Sequence, residues 1–134
     1  MKRNILITGA SAGLGAALAR EYARRGWSLV LVARREERLR ALAAELNRAH
    51  GTESHVIAAD LFSETAVPDL MQALKGVQID GLINNAGYGH PGKFLTSAWE
   101  DHRKFNHLMS VVPVELTRAL LPGMVERDLS LIHI

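Results

Sequence analysis

Thr8-Gly9-Ala10-Ser11-Ala12-Gly13-Leu14-Gly15 follows directly on the apolar run Asn4-Ile5-Leu6-Ile7. A short β-branched apolar run reads as a buried strand, and the glycines predict a tight turn into a helix beginning near Leu14. A strand, a glycine loop and a helix N-terminus gather several backbone N–H groups at one point, together with the positive end of the helix dipole. That suits a pyrophosphate. Gly9 serves the tight turn, Gly13 lets a phosphate reach bare backbone, and Gly15 lets the helix pack close to the strand. Thr8, Ser11, Ala12 and Leu14 complete the set expected at such a ligand. The chemistry implied is dinucleotide binding; a glycine turn that holds no ligand is the alternative.

The end of the second apolar run bears on which dinucleotide. A carboxylate there would hydrogen-bond an adenosine ribose and repel a 2′-phosphate. This chain has Val32-Ala33-Arg34-Arg35 instead, and a guanidinium fork donates to phosphate in pairs. NADP is therefore favoured, with NAD as the alternative. The other reading of Arg34 and Arg35 is the solvated start of the next helix. Two further motifs follow later strands: Asp60-Leu61, and Asn84-Asn85-Ala86-Gly87. Taken singly, Asp60 could cap a turn and the asparagines could be turn formers.

Several other chemistries find little support. With no cysteine there is no disulfide, thiolate metal site or thiol nucleophile. His102 and His107 are poorly spaced to share a helix face, no H-E-x-x-H occurs, and His50, His55 and His90 read as loop or helix-end residues; no metal is expected. Arg20, Arg24, Arg25, Arg38 and Arg40 interleave with Glu36, Glu37 and Glu45 as solvated helix faces. The formal charge is only +2, so no nucleic-acid partner is expected. The composition, 48% apolar and 22% charged over 134 residues, fits one modest globular core. No apolar run approaches a membrane span, and Met1-Lys2-Arg3 leads straight into a strand without a signal-peptide pattern. We expect a cytoplasmic protein with no membrane contact.

The elements that must position the motifs alternate. Strands are predicted at 4–8, 27–33, 54–58 and 79–84, and helices at 14–25, 36–48 and from a cap at Ser63 to about 74. Gly26 ends the first helix. Residues 88–95 read as a loop and 97–127 as mostly helical, broken near Phe105–Asn106, with Pro113 bending the helix or marking a first turn. Leu116, Leu120 and Met124 keep one apolar stripe. Strands separated by helices imply parallel pairing with right-handed crossovers. The fold class is α/β, a Rossmann-type doubly wound parallel sheet, incomplete, in strand order 3-2-1-4 with a possible short fifth strand. The ligand is expected at the C-terminal strand ends near the switch between strands one and four. The chain reads as one truncated dinucleotide-binding domain.

The ordered occurrence of T-G-x-x-x-G-x-G, D-L and N-N-A-G, from about Lys2 to about Asp128, resembles the short-chain dehydrogenase/reductase family. The resemblance implies hydride transfer between a nicotinamide cofactor and a small carbonyl or alcohol. In that family an arginine after strand two accompanies NADP preference, which marks Arg34 first; Ala12 stands where many NADP users carry a basic residue. By the same resemblance Asp60 accepts a hydrogen bond from the adenine amino group, Leu61 lies along the ring, and Asn85, Ala86 and Gly87 line the adenosine ribose. Asn84 and Asn85 also tie strand four to its neighbours.

The family's proton donor is a tyrosine with a lysine four residues on, aided by a serine and an asparagine. No Tyr-x-x-x-Lys occurs here: Tyr22 falls in the first helix and Tyr88 after strand four. Aligning Pro113–Pro122 on the family's similar helix puts Met109 at the asparagine position, with Asn106 one turn earlier. The resemblance thus implies the N-terminal cofactor-binding part of an oxidoreductase, inactive alone, whose full-length protein takes a small-molecule substrate and forms a homo-oligomer. A non-catalytic dinucleotide-binding sensor or regulator is the alternative.

The tail Leu129-Ser130-Leu131-Ile132-His133-Ile134 can be encoded as CTG TCT CTT ATA CAC ATC, the transposon end of tagmentation libraries. We expect it to be adapter-derived; a natural fifth strand is the alternative. An unpaired sheet edge and open apolar helix faces lead us to expect aggregation of the chain alone. Sequencing the source DNA across codon 128 checks the tail: the expected outcome is a frame that departs from these codons and runs on to a Tyr-x-x-x-Lys.

Overall fold

The computed structural model describes every residue except Met1 and Ser130; the expectation for the 129–134 tail thus falls partly outside the described residues. Strand β1 (Asn4–Thr8) lies at the centre of the sheet, with Ile5, Leu6 and Ile7 fully buried. It pairs in parallel with β2 (Ser28–Ala33) on one side and β4 (Gly81–Ile83) on the other, Ile7 lying opposite both Leu31 and Ile83. The edge strands are β3 (Ser54–Ala58) and the short β5 (Ile132–His133), so the order is β3-β2-β1-β4-β5. Central strands of a parallel sheet are covered on both faces, which is why β1 and β2 are apolar throughout rather than alternating.

Each face has its own helical cover. Ile5, Ile7, Leu29 and Leu31 pack under α1 (Gly13–Arg24) and α2 (Glu36–His50), through Ala16, Ala19, Leu39, Leu42 and Leu46. Leu6, Val30, Val32 and Leu82 pack under α3 (Ala66–Ala73) and α5 (Val112–Glu126), through Val67, Leu70, Leu116, Leu120 and Met124. The stripe expected of the last helix is the one that is buried. Alanines at the β1-facing side of α1 hold that helix close to the sheet, and so bring its N-terminus near the strand ends.

Beyond shifts of one or two residues at the ends of α1, β2 and α2, three features differ from expectation. Helix α3 starts at Ala66 rather than after Ser63, because residues 60–66 spend their hydrogen bonds on turns: Ser63 N–H to the Asp60 carbonyl (3.1 Å), Thr65 N–H to Ser63 Oγ (3.3 Å) and Ala66 N–H to the Ser63 carbonyl (3.1 Å). Strand β4 is shorter than 79–84, although flanking bonds continue its ladder from Asp80 N–H to the Asn4 carbonyl and from Asn84 N–H to the His133 carbonyl, both 2.8 Å. The expected break near Phe105–Asn106 is absent. Helix α4 (Trp99–Asn106) runs through one π-helical turn (His107–Val111) into α5, with Pro113 in the first turn after it.

This uninterrupted 28-residue helix contains an 18-residue window of mean hydropathy 1.4, enough by length and composition to cross a bilayer. The sequence reading missed it by dividing the segment. Its Leu108-Val112-Leu116-Leu120-Met124 stripe packs on the sheet as a core element.

Opposite the C-terminal strand ends, Asp80 is almost wholly buried. Its carboxylate accepts from Asn4 N–H (2.9 Å) and Gln78 Nε2 (2.7 Å) and lies 3.4 Å from Arg127. Arg127 Nη2 also donates to the Ile79 carbonyl at 2.7 Å, so this cluster ties the end of α5 to the N-terminal ends of β1 and β4. Removing one partner strands the other in a poorly hydrated place. Asp80→Ala should destabilise the chain by about 3 kcal/mol, read as a lowered urea midpoint.

Candidate functional site

The loops after β1 and β4 are held together by one hydroxyl and one amide. Thr8 is buried, and its Oγ1 accepts from the N–H groups of Asn85 and Ala86, each at 3.0 Å, while donating to the Ile83 carbonyl at 3.4 Å. Asn85 Nδ2 donates back to the carbonyls of Thr8 and Gly9, both at 3.2 Å. Asn84 Nδ2 reaches Thr117 Oγ1 on α5 at 3.4 Å. The asparagines do tie strand four to its neighbours, and the turn-former reading of Asn85 is too weak for what it does.

That closeness demands glycine. A methyl at Gly15 would overlap the Gly9 carbonyl oxygen and come within 2.6 Å of Asn85 Nδ2. Gly13 is a different case: its φ is +55°, and a methyl there would meet open space. Gly13 is required by backbone conformation, and the bare backbone it leaves faces a groove.

The groove has a volume of about 740 Å³ and runs across the C-terminal ends of the strands. At its centre is the start of α1. The first bond of that helix runs from Ala16 N–H to the Ala12 carbonyl (3.3 Å), so the N–H groups of Gly13, Leu14 and Gly15 precede it. The cap residue Ala12 offers no side-chain acceptor, and the first turn carries no acidic residue. Serine or aspartate at this position would stabilise the helix by about 1 kcal/mol. The chain forgoes that, and its exposed donors and dipole suit an anion.

At one rim stand Arg34 and Arg35, both exposed. Arg35 Nη2 lies 3.4 Å from Ser11 Oγ, and the Arg34 guanidinium sits 5.5 Å from the centre of the Phe62 ring. Among the described residues neither pairs with a carboxylate. Four arginines on or beside α1 and α2 behave otherwise: Arg20 pairs with Glu45 (2.7 Å), Arg24 and Arg25 with Glu21 (2.8 and 2.6 Å), and Arg40 with Glu36 (2.6 Å). Arg38 and Arg48 of α2 also have no carboxylate partner among the described residues. Hydrogen bonds from Arg24 and Arg25 hold the Glu21 carboxyl down to about 2. These pairs are the solvated helix faces read from the sequence; the Arg34–Arg35 pair is not one of them.

Twelve of the fourteen residues expected to bind cofactor line this groove: Gly9, Ser11, Ala12, Gly13, Leu14, Arg34, Arg35, Asp60, Leu61, Asn85, Ala86 and Gly87. Thr8 and Gly15 do not; they are buried beneath it and shape it. Asp60 caps a turn, its Oδ1 accepting the Phe62 N–H at 3.1 Å, and it also borders the groove. Ala33, Ala59, Phe62, Tyr88 and Leu108 also line the groove and were missed. Four of the five adjoin a motif residue, which is the only signal sequence carries; Leu108 arrives through the π-helical turn.

The candidate asparagine is elsewhere. Asn106 is exposed and borders a separate cleft with His90, Phe94, Trp99 and His102. Met109 instead lies against the groove's far loop, its sulfur 2.9 Å from where a methyl on Gly87 would stand. His102 and His107 are engaged with backbone, at Phe94 O (2.9 Å) and Ser63 O (3.2 Å) respectively.

A doubly wound parallel sheet with an uncapped glycine-rich helix start at its switch point defines a nucleotide-binding α/β protein. The family model for short chain dehydrogenases matches residues 3–132, and the chain belongs to that family. A very-long-chain 3-oxoacyl-CoA reductase of Anas platyrhynchos is 37% identical over 130 residues, 92% of this chain and 41% of the relative. A short-chain dehydrogenase from Sphingobium yanoikuyae, solved with NADPH, superposes with TM-score 0.91 at 37% identity, covering 97% of this chain and 52% of that one. The bulky-bulky ketone specific alcohol dehydrogenase from Comamonas testosteroni gives 0.91 at 34% identity, covering 97% and 53%. The chain thus spans about two fifths of the curated relative it matches and about half of the solved chains.

The glycines separate conformation from contact. Gly13→Ala should fold with a loss of about 1 kcal/mol from its left-handed backbone, whereas Gly15→Ala should lose about 3 kcal/mol by forcing the Thr8–Asn85 tie apart. Thermal midpoints of the two variants check the order.

Proposed function

We propose that this chain is the cofactor-binding part of an NADP(H)-dependent oxidoreductase that interconverts a carbonyl and an alcohol on a small molecule. The observation that carries the reading is the pair of arginines without carboxylate partners at the end of β2, beside Ser11 and next to an uncapped helix N-terminus. An NAD site would carry an acidic residue there. The Sphingobium relative's NADPH complex supports the cofactor. The ketone and 3-oxoacyl substrates named for the Comamonas and Anas relatives support the reaction class.

In this reading the pyrophosphate rests on the exposed N–H groups at the start of α1, at Gly13 and Leu14. Arg34, Arg35 and Ser11 take the 2′-phosphate, and Asp60 and Leu61 take the adenine edge and face. Asn85, Ala86 and Gly87 flank the adenosine ribose. The bound nicotinamide supplies the hydride. What this chain supplies is placement: the Thr8–Asn85 tie fixes the distance between the helix that holds the phosphates and the loop that holds the ribose. Because the sequence holds no Tyr-x-x-x-Lys and Asn106 borders a separate cleft, the reading is of a chain that binds cofactor without turning over. The outward-facing Val111, Val114 and Val125 of the long helix offer a face for a second copy in the full-length protein.

Assayed as the monomeric fraction separated from aggregate, the 134-residue chain should bind NADPH more tightly than NADH, with no oxidation of NADPH in the presence of ketones. Replacing both Arg34 and Arg35 by alanine should weaken NADPH binding about tenfold or more, since a hydrogen bond to a charged group contributes about 1.5–3 kcal/mol, and leave NADH binding nearly unchanged. Fluorescence titration with both cofactors checks this.

A further inference from the structure

Phe62 lies in the turn after β3, on no motif, yet it is the residue against which Arg34 rests. Its ring centre is 5.5 Å from the Arg34 guanidinium carbon. Other rings pack against it: the Tyr88 ring lies 5.6 Å away at 66°, and Phe105 stands edge-on to Tyr88 at 5.3 Å and 89°. Its backbone is pinned too, by the bond from Phe62 N–H to Asp60 Oδ1. An exposed arginine has a long, freely rotating side chain, and no carboxylate among the described residues holds this one. An aromatic face can hold it, because the ring quadrupole attracts the cation.

We propose that Phe62 is a positioning residue for cofactor choice: it holds the Arg34 guanidinium over the adenosine end of the groove, ready for a 2′-phosphate. This rests on the NADP(H) reading above. Phe62 acts through Arg34 and not by its own contact with the phosphate, so its influence falls more heavily on the phosphorylated cofactor. Arg35 is held separately by Ser11, which makes the two guanidinium groups independent halves of one phosphate site.

The test is the ratio of NADH to NADPH dissociation constants for the chain and for Phe62→Leu, Phe62→Trp and Arg34→Gln, with Phe62→Leu also made in the Arg34→Gln background. Phe62→Leu keeps the apolar bulk and removes the aromatic face. It should weaken NADPH binding about two- to fivefold more than it weakens NADH binding. Phe62→Trp should restore the ratio, and Phe62→Leu should add nothing once Arg34 is glutamine. Equal weakening of both cofactors, an unchanged ratio, or full additivity with Arg34→Gln overturns the proposal. A chain that shows no preference for NADPH before any substitution overturns the underlying reading, and the proposal with it. Should Phe62→Leu fail to fold, the tryptophan variant against Arg34→Gln carries the same comparison: a ratio that falls with tryptophan as far as with Arg34→Gln overturns it.

Discussion

The site depends on the distance between two loops, set by Thr8 and Asn85. Five hydrogen bonds of 3.0–3.4 Å join the end of β1 to the start of the loop after β4. Because both strands are parallel neighbours, their C-terminal ends emerge side by side, and the tie turns that adjacency into a fixed gap. Gly9 and Gly15 are small so that the gap can close. Apart from Leu108 on the π-helical turn, everything that lines the groove stands on one of these two loops or on the ends of β2 and β3 beside them.

Electrostatically the groove is built by omission. Helix α1 is the one α-helix among the described residues without an acidic first turn, and among those residues the arginines at the end of β2 lack the glutamate partners that Arg20, Arg24, Arg25 and Arg40 possess. Each omission costs the free chain some stability, and together they leave donors and positive charge converging on one place. Natural sequences carry such local inconsistencies where a ligand completes the arrangement.

Much of this architecture was legible, because the signals were local. Strands β1 and β3 have the predicted bounds, since apolar runs flanked by glycine or aspartate leave little choice, and the strand order followed from the helical connections. The site motifs were readable because backbone geometry and residue type coincide at Gly9, Gly13 and Asn85. Two kinds of feature were not. Thr8 looks like a ligand residue in the sequence and proves to be scaffold beneath the groove, a distinction that depends on which way a buried hydroxyl points, whereas Gly15 does what its spacing implied and lets helix and strand pack close. Phe62 and Tyr88 look like ordinary loop aromatics, and their place at the groove comes from ring packing between segments distant in sequence. The start of α3 was misread because Ser63 suits a turn as well as it suits a cap.

The π-helical turn at His107–Val111 has a consequence for how this helix is compared with others. A π turn takes up one residue more than an α turn, so it absorbs an insertion without breaking the helix. On its two sides the chain keeps different phase: the half after it lays Leu116, Leu120 and Met124 on the sheet, while the half before it directs Phe105 toward Tyr88. Counting back through the turn from Pro113 is therefore sound only against a helix that carries the same extra residue. Against a plain α-helix, every position before His107 is shifted by one, and equivalence must be judged by place in space rather than by count.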